Sequence, residues 1–171
     1  MTVAAKLCEA QFFLELLDAL EARKRPLANE SSAAQEASYL LGAFLNSLYS
    51  ALEHAKSSVS VTEVKAYKNA RADLLGGNGI RNVTVHERHV EASHAGYIPP
   101  SGNAVNFDFR RPPRLVQEEK ARSGGVVLQM GPSYYFDYGG RPVHVTDLCS
   151  SELYELRKFL RAHGVATQSN G

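Results

Sequence analysis

SAAQEASYLLGAFLNSLYSAL, residues 32–52, decides the fold. Ala37, Leu40, Leu41, Phe44, Leu45, Leu48 and Leu52 recur every three or four residues, the spacing of one face of an α-helix. The stripe is continuous over about four turns. Ser32 followed by Gln35 is the pattern of a capping box, so the helix should open there. The small residues Gly42, Ala43, Ser47 and Ser50 allow a second helix to come close.

Upstream, a first helix is expected from about Ala4 to Arg23, with Ala10, Phe13, Leu14, Leu17 and Leu20 on one stripe and Pro26 with Asn29 marking the turn that follows. Downstream, Ser60 and Glu63 form a second capping-box pattern. The helix it opens carries Val64, Tyr67, Arg71 and Leu74 at helical intervals and ends at Gly76-Gly77-Asn78-Gly79. Ile80 to Val90 reads two ways. Its β-branched residues favour a strand, whereas its charged and imidazole groups suit a helix equally well.

From His94 to Gly125 the composition shifts to Pro99-Pro100, Ser101-Gly102, Arg111-Pro112-Pro113 and Gly124-Gly125, the mark of a long irregular connection. Beyond it, Ser133–Tyr138 and Arg141–Thr146 flank Gly139-Gly140, a two-residue loop that favours a β-hairpin. Val126–Met130 is expected to add a short partner strand. Asp147 or Ser150 should cap a last helix through Leu153, Leu156, Phe159 and Leu160, ended by Gly164. The expected fold is therefore mainly α: a helical bundle over 1–94, an irregular connection over 95–125, and a β-hairpin plus packing helix over 126–171, in one compact domain.

Composition narrows the classes. A length of 171 residues, 44% hydrophobic and 22% charged, suits one soluble globular domain with a real core. No apolar run approaches the roughly 18 residues of a membrane span, so no membrane partner is expected. The N-terminus reads as a charged amphipathic helix rather than a secretory signal, which leaves a cytoplasmic location as the default. Nineteen basic against eighteen acidic residues give a net charge of +1, so nucleic-acid binding would need a local patch. Cys8 and Cys149 lack the CxxC spacing of a zinc site and read as small apolar groups on helices.

The richest chemistry lies in Arg81-Asn82-Val83-Thr84-Val85-His86. On a helix Asn82, His86 and His89 share one face, and the long arginine stem can bring its guanidinium to the same spot. On a strand Arg81 and His86 would point to opposite faces. Metal-free RNA cleavage needs proton transfer at the 2′-hydroxyl and the leaving oxygen, together with a cation for the phosphorane. Histidine supplies the first. Arginine supplies the second as a planar fork, and an amide such as Asn82 can hold the imidazole or a phosphate oxygen in position. Two copies meeting across a two-fold axis would provide both acid and base.

Arg81-Asn82, three residues, then His86 resembles the signature of the HEPN superfamily: an arginine, a polar residue, and a histidine after a short gap. The segment Ser38–Ser50 is similar to the helix preceding that motif in bacterial members. The resemblance covers roughly residues 4–94. It implies a compact helical bundle, a homodimer with its cleft between protomers, and metal-independent endonuclease action on RNA in toxin–antitoxin or defence systems. It further implies that Arg81 and His86 form the catalytic pair, that Asn82 supports them, and that no cofactor is needed.

Plainer readings stand beside this one. Arg81 can serve as a helix cap or surface ion pair. His86, His89 and His94 can instead be metal ligands, since His86-x-x-His89 resembles half a zinc site, though without the HExxH arrangement. Tyr134, Tyr135, Phe136 and Tyr138 suit either a base-stacking platform or a hairpin packed on a helix. Arg110, Arg111 and Arg114 can meet phosphates or sit on a solvated connection. The glycine cluster lacks the lysine of a phosphate-binding loop and reads as a turn. The rival functional class is a non-enzymatic module (antitoxin, immunity protein or adaptor) that binds a partner protein without turnover.

Overall fold

The computed structural model describes residues 2–23, 25–86, 114–117, 126–129, 134–138 and 141–167. Its framework is a helical hairpin of α1 (Val3–Arg23) and α2 (Ala33–Ala55). The expected capping box opens α2: Ser32 Oγ accepts from the Gln35 N–H at 3.2 Å, and the Gln35 side-chain oxygen accepts from the Ser32 N–H at 2.9 Å. The predicted stripe is the buried face, with Leu41, Phe44, Leu45, Leu48 and Leu52 packed on Leu7, Leu14, Leu17 and Leu20 of α1. Gly42 and Ser47 are buried in that face, and the Ser47 hydroxyl donates to the Ala43 carbonyl, so no polar group is left orphaned there.

Glu36 fixes the α1–α2 connection. Its buried carboxylate accepts from the backbone N–H groups of Leu27 (2.6 Å) and Ala28 (2.7 Å) and from the Ser31 hydroxyl (2.6 Å). Burial pushes its pKa up, but these three donors outweigh that and hold it below the ordinary carboxylate value.

The C-terminal elements close over the hairpin. β3 (Tyr135–Asp137) pairs antiparallel with β4 (Pro142–His144), with Tyr135 opposite His144. Tyr138 and Arg141 exchange backbone bonds at 2.8 and 3.3 Å, and the Gly139-Gly140 loop expected between them lies outside the described residues. Tyr134 and Phe136 are buried in the core and Tyr138 packs partly against it, as for a hairpin packed on a helix, while the half-buried Tyr135 ring faces His144. α6 (Val145–Ala162) follows at once and packs on α1 and α2 through Cys149, Leu153, Leu156 and Leu160.

Val145 and Thr146, read from sequence as strand, are the first turn of α6, and the N-cap position is His144 rather than Asp147 or Ser150. The reason is tertiary. His144 lies between two carboxylates, with Glu21 of α1 2.8 Å from its Nε2 and Asp147 2.9 Å from its Nδ1. The Glu21 carboxylate is 0% exposed, so this contact anchors the hairpin to the end of α1. At the far end Gly164 takes φ 72°, with the Val165 N–H on the Leu160 carbonyl and the Gly164 N–H on the Arg161 carbonyl, both at 3.0 Å. This is a Schellman stop, as the glycine foretold.

The helix expected from Ser60 to Leu74 is two pieces, α3 (Val61–Asn69) and α4 (Ala72–Leu75). Arg71 leaves helical geometry between them, and its guanidinium lies over the Tyr67 ring at 4.0 Å while pairing with Glu152 of α6 at 2.7 Å. A long-range ion pair thus overrides a continuous local pattern. Residues 80–86, which the sequence left open, form α5 (Ile80–His86), packed on α2 and α4. Residues 87–90 lie outside the described residues.

A second hairpin joins β1 (Arg114–Gln117) to β2 (Val126–Gln129), with Leu115 opposite Leu128. β1 falls inside the stretch expected to be irregular, and β2 pairs with β1 rather than with β3. The architecture is mainly helical with minor antiparallel β structure. Among the described residues no helix is long and apolar enough to cross a membrane.

Candidate functional site

The glycine turn builds the floor of the site. A Cβ at Gly79 would stand 2.7 Å from the Ala72 carbonyl oxygen and 2.8–2.9 Å from the Leu74 carbonyl group, distances no side chain tolerates against backbone. This close approach folds α5 back onto α4. The Gly79 carbonyl then accepts from the N–H groups of Asn82 (2.9 Å) and Val83 (3.2 Å), starting α5. The buried Thr84 hydroxyl donates to the Arg81 carbonyl at 2.8 Å, so even a β-branched residue finds a local bond within the helix.

Arg81 occupies the first turn of α5 and reaches across to α2. Its Nη1 donates to Asn82 Oδ1 at 3.3 Å and its Nη2 to Asn46 Oδ1 at 3.0 Å. The guanidinium carbon lies 4.2 Å from the centroid of the Tyr49 ring. All these partners are neutral. Among the described residues no carboxylate pairs with Arg81, and its Nε is buried without a hydrogen-bond partner. A half-buried guanidinium fixed by amides and an aromatic face keeps its full charge available to an anion.

Asn82 contacts Arg81 directly and also holds the glycine turn, a contact the sequence did not show. Its amide nitrogen donates to the Gly77 carbonyl at 2.7 Å while its oxygen receives Arg81, so it staples the glycine turn to the guanidinium. His86 closes α5 one helical turn after Asn82. Its side chain, like His89 and His94, lies outside the described residues, and so do Arg110 and Arg111.

Three residues the sequence reading passed over complete the arrangement. Asn46, Tyr49 and Glu53 run down α2 at intervals of three and four. Lys68 of α3 pairs with Glu53 and sits 3.9 Å from the Tyr49 centroid, so Tyr49 carries a cation from each of two helices. Burial raises the pKa of Glu53, but bonds from Lys56 and Lys68 outweigh it and keep the group below the ordinary carboxylate value. Lys68 is thereby neutralised, whereas Arg81 is not. The signal for this polar stripe was present in the spacing of α2. What faces it was not.

No protein-family model matches the chain, and no curated protein and no solved structure matches it.

Proposed function

We propose that the protein is a HEPN-like, metal-independent RNA endonuclease of the cytoplasm, acting as a homodimer in a toxin–antitoxin or defence system. The observation that carries this reading is the setting of Arg81, a guanidinium placed by neutral groups and, among the described residues, paired with no carboxylate. Such a fork is suited to two oxygens of a phosphodiester and to the added charge of the phosphorane. In this reading His86 takes the 2′-hydroxyl proton in one protomer and supplies a proton to the leaving oxygen in the other. Asn82 and Asn46 hold the fork still. Chain cleavage by 2′-oxygen attack leaves a cyclic phosphate and a free 5′-hydroxyl.

Cleavage of a mixed RNA by the purified protein in the presence of a chelator tests the proposal. Arg81→Ala and His86→Ala should each lower the rate by about 100-fold or more. Equal cleavage by all three proteins would mean that the nuclease is a contaminant or that the site is elsewhere. Light scattering should show a dimer, and a strictly monomeric protein with full activity would remove the shared cleft.

A non-enzymatic module (antitoxin, immunity protein or adaptor) is the second reading. It is favoured by three large rings on the surface: Phe12 at 55%, Tyr39 at 45% and Tyr154 at 65% exposure. A stable stoichiometric complex with a partner protein, with no RNA turnover in either state, would select it.

A further inference from the structure

A groove of about 450 Å³ runs between α1 and α6, on residues that the ribonuclease reading does not use. Its floor is apolar, formed by the buried Leu14 and Leu153. Tyr154 stands at its edge with the ring largely in solvent. Arg157, Lys158 and Arg161 then follow at the spacing of a single helical stripe, so one end of the groove is cationic. Among the described residues no carboxylate lines it.

The three cations are poorly compensated. Arg157 makes no ion pair or hydrogen bond among the described residues. Lys158 approaches Glu155 only at 3.8 Å, with both side chains exposed, a contact of little weight. Arg161 donates to the neutral Thr167 hydroxyl at 3.1 Å. Complementing the helix dipole accounts for a basic residue in the last turn, as with Arg161. It does not account for Arg157 and Lys158, which lie before that turn.

We propose that this groove is a second binding site, for a nucleotide, either free or as a unit of a single strand. Three cations within five residues converge on one multiply charged group better than on separated carboxylates, and arginine forks fit phosphate oxygens. The exposed Tyr154 ring beside an apolar floor offers a stacking surface for a base. The volume suits a small-molecule site.

Calorimetric titration of the full chain with adenosine 5′-monophosphate, adenosine, inorganic phosphate and a short uridine oligonucleotide tests this. The monophosphate should bind saturably and at least about 10-fold tighter than adenosine. Arg157→Gln should weaken it by a similar factor, and so should the more exposed Lys158→Gln, which guards against a folding artefact. Tyr154→Ala should weaken the monophosphate but leave inorganic phosphate unchanged. Arg81→Ala should leave monophosphate binding intact, which separates this site from the one on α5. Tighter binding of the oligonucleotide, sensitive to Arg157→Gln, identifies a strand as the source, and tighter monophosphate binding identifies a free nucleotide. The proposal is overturned if adenosine binds as well as its monophosphate, or if binding ignores Arg157→Gln and Lys158→Gln.

Discussion

Glu36 shows how much one side chain can carry. It satisfies two backbone donors and one hydroxyl in a connection that has no regular structure of its own. Glu36→Ala should leave these donors without partners and cost about 3 kcal/mol, read from urea unfolding. The folded-state pKa of Glu36 is lowered, so its contribution is fully present above the ordinary value of 4.5 and is lost as pH falls through the lowered folded value. Wild-type stability should therefore drop in acid more steeply than that of Glu36→Gln, and parallel profiles would contradict the assignment. Arg81 is the opposite case. Its hydrogen-bond partners are neutral amides, and they tie α5 to α2 without a carboxylate.

Contacts between elements explain where local patterns gave way. Asn82 and Val83 could sit in a strand, but Gly79 brings the chain so close to α4 that a helical turn on α2 is the packing that remains. Gly79→Ala should displace α5, lowering the thermal midpoint and, if the nuclease proposal is right, RNA cleavage with it. An unchanged midpoint would show that the turn can give way. Across the bundle, His163 of the α6 terminus meets Glu63 of α3 at 3.1 Å. The His163 pKa is raised, first by the Phe159 carbonyl and then by Glu63. That of Glu63 is lowered, first by the Ser60 hydroxyl and then by His163.

The His163 part is fully present below its ordinary 6.5 and fades as pH rises through the raised folded value. The Glu63 part is present above 4.5 and fades as pH falls through the lowered one. In an NMR titration Glu63→Gln should move the His163 midpoint down, yet leave it above 6.5 because the Phe159 bond persists. No movement at all would sever this link between α3 and α6.

For the molecule as a whole, one cysteine reports on the core and the other on the surface. Cys8 lies exposed on α1, while Cys149 is buried where α6 meets the core. Burial, with Glu152 adding to it, pushes the Cys149 thiol far above its ordinary value. In native buffer one thiol per chain should react with a disulfide reagent. The second should react only at the rate at which the core opens, and denaturant should accelerate it in step with global unfolding. Equal rates for both thiols in native buffer would mean that α6 detaches independently.

Local spacing and caps suffice for the helices in which the two agree: α1, α2, the start of α3 at Ser60 and the Gly164 stop of α6. The same local signals placed the turn of the β3–β4 hairpin between Tyr138 and Arg141 and set Arg81, Asn82 and His86 in one segment. These features rest on spacing and on backbone groups satisfied within a few residues, which a linear reading can see. Tertiary structure alone decided the break at Arg71, the start of α6 at His144, the helical state of residues 80–86, and the meeting of Asn46 and Tyr49 with Arg81. Each depends on a partner distant in sequence or on packing between helices. Buried charge and close backbone contact are settled only when the chain has closed on itself.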